Sequence, residues 1–127
     1  MSWDNFTYEE FGCKCGCGTN EMESMFIDDL QAVRTRCMFP FIVTSGYRCE
    51  NHPIEKSKNA PGPHNTGFAV DIAVSGKHAL LVVAVAIEEA VWTGFGINQK
   101  GDMDKRIIHL DQCEEGPNRP RPWLWTY

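Results

Sequence analysis

His64-Asn65-Thr66-Gly67-Phe68-Ala69-Val70-Asp71-Ile72-Ala73-Val74 is the stretch on which the architecture turns. From Gly67 onward, Phe68, Val70, Ile72 and Val74 alternate with Ala69, Asp71 and Ala73, the two-residue period of a β-strand. One face is bulky and apolar; the other is small and carries a carboxylate. A strand that hides one face needs a second layer packed on it. Upstream, Met22, Met25, Phe26, Leu30, Val33 and Cys37 recur at three- and four-residue steps, which predicts an amphipathic helix stopped by Pro40. Downstream, residues 77–92 are apolar enough for a buried helix with Glu88 and Glu89 on its solvent edge.

Three further strands complete the sheet. Residues 41–44 are a short β-branched strand entering the turn Ser45-Gly46, and residues 94–98 and 106–111 are two more, joined by a turn containing Gly101, Asp102 and Asp104. In the last strand Ile108 and Leu110 share one face while His109 and Asp111 share the other. The expected fold is α+β: a single domain over residues 1–127, with an antiparallel-rich sheet and helices on one face. Residues 1–20 read as an irregular Cys-rich arm and residues 50–66 as a long loop. Residues 117–127, rich in proline and tryptophan, read as a tail wrapped over the surface and anchored by Trp123 and Trp125.

Size and charge narrow the function. A chain of 127 residues has room for one core. Its formal charge of -5 lacks the basic footprint of a nucleic-acid binder. The longest apolar run, residues 79–87, is far short of the roughly 20 residues that span a bilayer. The first residues show neither a basic nor an apolar leader region, so cytoplasmic synthesis is expected, with any action on a cell wall following release or delivery in a virion. A monomer is expected.

Six cysteines stand apart from this picture. Cys13, Cys15 and Cys17 alternate, so an extended segment would present three thiolates on one side, suited to a soft metal. A structural or incidental role is the preferred reading, with metal binding as the alternative. Cys37, Cys49 and Cys113 are distant in sequence.

His64, Asp71 and His109 form a possible His/carboxylate/His ligand set. Three protein ligands that leave one position open is the arrangement of catalytic zinc. On spacing alone, histidines satisfied by ordinary partners explain the same residues. His52 has no assigned role in the loop, and His78 reads as structural.

Ser45-Gly46-Tyr47-Arg48, then His64-x-x-Gly67-x-Ala69-x-Asp71, then His109-x-Asp111 resemble the M15 zinc peptidases of the D-Ala-D-Ala carboxypeptidase type, whose fold is shared with the hedgehog signalling domain. Phe11-Gly12-Cys13-Lys14-Cys15-Gly16 and Arg121-Pro122-Trp123-Leu124-Trp125 resemble the small, mainly phage and bacterial branch. The resemblance implies one catalytic Zn2+ held by His64, Asp71 and His109. It implies that Arg48 binds the substrate carboxylate or polarises the scissile carbonyl, a task suited to a planar guanidinium fork. Gly62 and Ala69 fall at positions that border substrate, Ala69 keeping the face beside Asp71 clear. The implied activity is hydrolysis of peptidoglycan stem peptides, as a carboxypeptidase or endopeptidase, in a phage-type lysis or entry enzyme.

Two positions depart from the pattern. Where many members carry glutamate in E-x-x-H, this chain has Arg106, which cannot act as a general base. Asp111 is the leading substitute, with Asp102 and Asp104 next; Asp111 could equally orient a ligand histidine. Gly62 replaces the usual serine of S-x-H, removing a substrate hydrogen bond. A non-catalytic, zinc-stabilised cell-wall-binding or recognition module of the same fold is therefore the alternative reading.

Overall fold

The computed structural model describes residues 2–58 and 60–127. Five strands form one sheet: β1 (Val43–Ser45), β2 (Ala69–Ala73), β3 (Gly94–Asn98), β4 (Ile107–Asp111) and β5 (Trp123–Thr126). Their spatial order is β1-β2-β4-β3-β5, antiparallel except for the parallel pair of β3 with β5. The fold is α+β, with the main helices on one face, as the alternating pattern required.

Helix α1 (Ser24–Cys37) buries Phe26, Ile27, Leu30, Val33 and Cys37, an i, i+4, i+7 stripe with one flanking residue. Arg34 and Arg36 in its last turn suit the negative end of the helix dipole. The stop comes earlier than Pro40, at Met38, which adopts a left-handed conformation with φ 63°. Met25, expected on the apolar face, is 72% exposed, because it falls off the stripe set by Phe26 and Leu30.

Helix α3 (Gly76–Glu89) packs on α1 and on β4 through Ala79, Val82, Val85 and Ala86. It is not buried all round. Leu80 and Ile87 are largely exposed, since a helix lying on a sheet covers only one of its sides. Arg36 bridges the two helices by pairing with Glu88 and Glu89 at their solvent edge. Val70, Ile72, Phe95, Ile108 and Leu110 face this helical layer and complete the core.

Three segments expected to be irregular have structure. The loop 50–66 contains a one-turn helix, α2 (Pro53–Lys56), whose N-cap His52 accepts a hydrogen bond from the Ile54 N–H, and a 3-10 turn at Pro63–Asn65. The arm forms a 3-10 turn at Tyr8–Phe11 and inserts Phe6, Phe11 and Cys13 into the core. The tail is a fifth strand rather than a surface wrap. Proline excludes helix interior but not an edge strand, and Pro122 immediately precedes the first paired residue. Trp123 is mostly exposed, so only Trp125 anchors. His78 stacks on Phe39 with ring centroids 4.0 Å apart, away from the site. Among the described residues no helix is long and apolar enough to cross a membrane.

Gly67 sits where the chain enters β2 from the His64 turn. Its φ is +82°, and a Cβ there would overlap the Glu21 carbonyl oxygen, so both the conformation and the space exclude a side chain. Its own carbonyl accepts from the Glu23 N–H, tying the site turn to the start of α1.

Candidate metal centre and its cleft

Strand register builds the centre. Asp71 lies opposite His109, and the same transverse row continues to Ser45 on one side and to Gly96 and Trp125 on the other. Paired residues emerge on one face, here the face away from the helices. The 3-10 turn before β2 adds His64.

The three groups converge on one carboxylate oxygen. Asp71 Oδ1 is 2.9 Å from His109 Nδ1 and 3.2 Å from His64 Nε2. One donor atom from each of the three residues lies within 4.8 Å of the others. The remaining nitrogen of each ring is also engaged: His64 Nδ1 donates to the Gly46 carbonyl at 2.8 Å, and His109 Nε2 donates to Asp111 Oδ2 at 2.8 Å. A carbonyl only accepts, so the His64 proton belongs on Nδ1 in the neutral ring and a lone pair on Nε2 faces Asp71.

Burial pushes the Asp71 carboxyl upward, but hydrogen bonds and charge from His109 and His64 outweigh it and hold the group well below the usual carboxylate range. For His109, burial favours the neutral ring, while Asp111 and Asp71 together reverse this and raise its pKa.

This donor set fits a divalent cation. Two acceptors at 3.2 Å, His64 Nε2 and Asp71 Oδ1, repel unless a proton or cation lies between them. Metal-binding histidines characteristically donate their second N–H to a carbonyl or carboxylate, and both rings do so. The three buried candidate ligands face a cleft of about 490 Å³. Its walls include Arg48, Ile54, Lys58, Trp125 and Tyr127.

Arg48 is brought to the centre and is not paired with Glu50 or Glu55. Its Nη2 lies 3.6 Å from Asp71 Oδ2, and its Nε donates to Ser45 Oγ at 3.0 Å. Backbone bonds lock it to the His64 turn: the Arg48 N–H donates to the His64 carbonyl, and Asn65 Nδ2 donates to the Arg48 carbonyl. Glu55 is taken up instead by Lys58 and the Gly62 N–H.

Asp111 is fully buried, and Arg121 grips both of its oxygens, Nε to Oδ1 at 3.0 Å and Nη2 to Oδ2 at 2.7 Å. Burial favours the protonated acid, but His109 and Arg121 together hold its pKa well below the ordinary value. Both oxygens therefore already have partners. Asp102 and Asp104 lie in an exposed turn and do not line the cleft, because β4 carries His109 away from that end of the sheet. Arg106 donates to the Gly101 carbonyl and lines a depression beside α3 instead.

Two positions expected beside substrate lie elsewhere. Ala69 is completely buried and pairs with Asp111, so a larger residue there would strain the packing around Asp111 rather than occlude an open site while sparing the fold. Gly62 turns its N–H to Glu55 and lines an adjoining groove of about 460 Å³, which shares Pro63 and Trp125 with the cleft. Arg121, Trp125, Tyr127 and Lys58 escaped the sequence reading of the site. The alternation of Trp123, Trp125 and Tyr127 was the available strand signal.

The glycines of β3 make room for this row. A Cβ on Gly94 would overlap the Asp111 carboxylate, and one on Gly96 would come within 2.8 Å of the Trp125 ring and 2.9 Å of His109 Cβ. Gly94→Ala is expected to destabilise the fold by about 1–3 kcal/mol through overpacking, measured by urea denaturation. A wild-type midpoint would mean that Asp111 does not rest on that strand.

A search of curated proteins finds no match to the chain. The family model for peptidase M15, a metallopeptidase family, matches residues 4–111, a span that contains Arg48, His64, Asp71, His109 and Asp111 together. With that match over most of the chain and a His/Asp/His donor set assembled on the open face of its sheet, the protein belongs to the peptidase M15 family.

Proposed function

We propose that this chain is a zinc metallopeptidase that hydrolyses stem peptides of peptidoglycan, as a D-Ala-D-Ala carboxypeptidase or endopeptidase in phage-type cell-wall lysis or entry. The observation that carries the reading is the convergence of His64, Asp71 and His109 at the base of a cleft that also holds Arg48. Zinc bound there would supply Lewis acidity toward the scissile carbonyl and acidify a water at its open position.

The residues of the chain do the rest. Arg48 and Lys58 are two cations on the cleft wall, suited to a peptide that carries a free carboxylate. Ser45 orients the Arg48 guanidinium, and Trp125 and Tyr127 offer apolar surface to the small side chains of such a peptide. Asp111 acts as a positioning residue: it holds the His109 ring through Nε2, leaving Nδ1 directed at Asp71, and is itself fixed by Arg121.

One observation favours a second reading, a non-catalytic zinc-stabilised module that recognises the cell wall. Among the described residues lining the cleft, Asp71 is the only carboxylate, so no second acid stands free to move a proton. Incubating the zinc-loaded protein with purified peptidoglycan and analysing the products by mass spectrometry separates the two. Released D-alanine identifies a carboxypeptidase, and new internal amino termini an endopeptidase. Binding to the sacculus with no product at any enzyme concentration would establish the recognition module and end the enzymatic reading.

A further inference from the structure

The fold brings Cys49 to the cysteines of the arm. Cys13 Sγ lies 3.4 Å from Cys15 Sγ and 3.6 Å from Cys49 Sγ; Cys49 Sγ lies 3.5 Å from Cys15 Sγ and 3.6 Å from Cys17 Sγ. All four sulfurs fall within 4.8 Å of one another. We propose that Cys13, Cys15, Cys17 and Cys49 form a second metal site, a closed tetrathiolate centre for zinc, which staples the N-terminal arm to the segment carrying Arg48.

The dimensions suit this. Zinc–sulfur bonds of about 2.3 Å in a tetrahedron separate the sulfurs by roughly 3.8 Å, close to the observed spacings. A disulfide would bring two of them to about 2.05 Å, and all four cysteines are free. Packing does not account for the cluster. Cys15 and Cys17 are exposed on a Gly-rich loop, gain nothing from apolar burial, and still turn inward on buried Cys49. Thiols are weak hydrogen-bonding partners, so four of them meeting head to head gain little from one another. Backbone donors point at the sulfurs: the Cys49 N–H donates to Cys13 Sγ at 3.4 Å and the Thr19 N–H to Cys17 Sγ at 3.3 Å, fixing both side chains toward the cluster.

Four protein ligands leave no open position, so this centre is structural where the His/Asp/His centre is open. Binding releases thiol protons and changes no oxidation state. Its consequence is mechanical. The Cys13 N–H closes the thiolate loop onto the Thr19 carbonyl, and the Tyr47 N–H donates to the Phe11 carbonyl at 2.7 Å. Cys49 directly follows Arg48, and the Gly46 carbonyl in the same segment holds His64. The metal thus joins the arm to the backbone that aims two residues of the other centre. It stands on its own geometry and is independent of any peptidase activity.

Metal analysis of the full chain, purified under reductant and equilibrated with Zn2+, tests it. Wild type should retain about two zinc per chain, while Cys15→Ser/Cys17→Ser and His64→Ala/Asp71→Ala should each retain about one. After replacement with Co2+, wild type and His64→Ala/Asp71→Ala should show near-ultraviolet sulfur-to-cobalt charge transfer, absent in Cys15→Ser/Cys17→Ser. Because Cys15 and Cys17 are exposed, their serine variants disturb no core. The wild-type spectrum decides the matter even if a variant fails to fold: cobalt-loaded wild type without a thiolate charge-transfer band overturns the proposal. Reduced wild type that retains only one zinc, lost with His64→Ala/Asp71→Ala, overturns it as well.

Discussion

Asp71→Ala is expected to strip the metal from the His64/Asp71/His109 centre and to reduce peptide hydrolysis to background. Asp71 Oδ1 is the point to which both imidazoles turn, and Asp71 Oδ2 is the nearest carboxylate oxygen to the Arg48 guanidinium. One substitution therefore removes a ligand, the anion that draws His109 Nδ1 into place and the counter-charge of Arg48. Loss of a partner that only orients a metal ligand typically costs 10–100-fold in affinity, and loss of the ligand itself should exceed that. Equilibrium dialysis against Zn2+, with the thiolate centre already filled, reads the affinity, and the peptidoglycan digest reads the activity. Wild-type affinity in a folded Asp71→Ala protein would remove the basis for the centre.

Arg121→Met should produce the largest loss of stability, about 3–5 kcal/mol, because it leaves a completely buried carboxylate short of its cation. His109 still donates to Asp111 Oδ2, which places the effect toward the lower end of that range. Trp125 would move as well, since the Arg121 guanidinium lies 5.1 Å over its ring and the ring in turn packs 5.0 Å from His109. Asp111→Asn is the complementary variant. It keeps the shape and one acceptor oxygen, so the fold should survive while metal affinity falls about 10–100-fold as the hold on His109 weakens. Combining the two should cost less than the sum of the single changes, because each removes the other's partner. Urea denaturation of the three proteins checks this, and additive losses would show that Arg121 and Asp111 act independently.

The faces that Asp71 and His109 occupy were legible because strand alternation is local, whereas grouping them with His64 as candidate ligands rested on the family resemblance. Val70 and Ile72 had to face a core, which put Asp71 on the other side; Ile108 and Leu110 did the same for His109. Apolar identity said less about α3, where Leu80 and Leu81 resemble Val82 in sequence but face outward; the side of an apolar helix that is covered depends on what the helix lies upon. The proline-rich tail hid a strand for a similar reason, since pairing with β3 depends on a neighbour distant in the chain.

What the amino-acid order determined by itself was the kind of element formed by the segments with a clear apolar period, and which of their side chains share a face, because φ/ψ preference and side-chain period are properties of neighbouring residues. The tertiary structure alone decided which faces meet. It set Asp71 against His109 and laid Trp125 along the same row. It also committed Asp111 to Arg121 and carried Cys49 to the three thiols of the arm. Those meetings depend on strand register and on the closure of long loops, which the burial of a common core selects and no local pattern encodes.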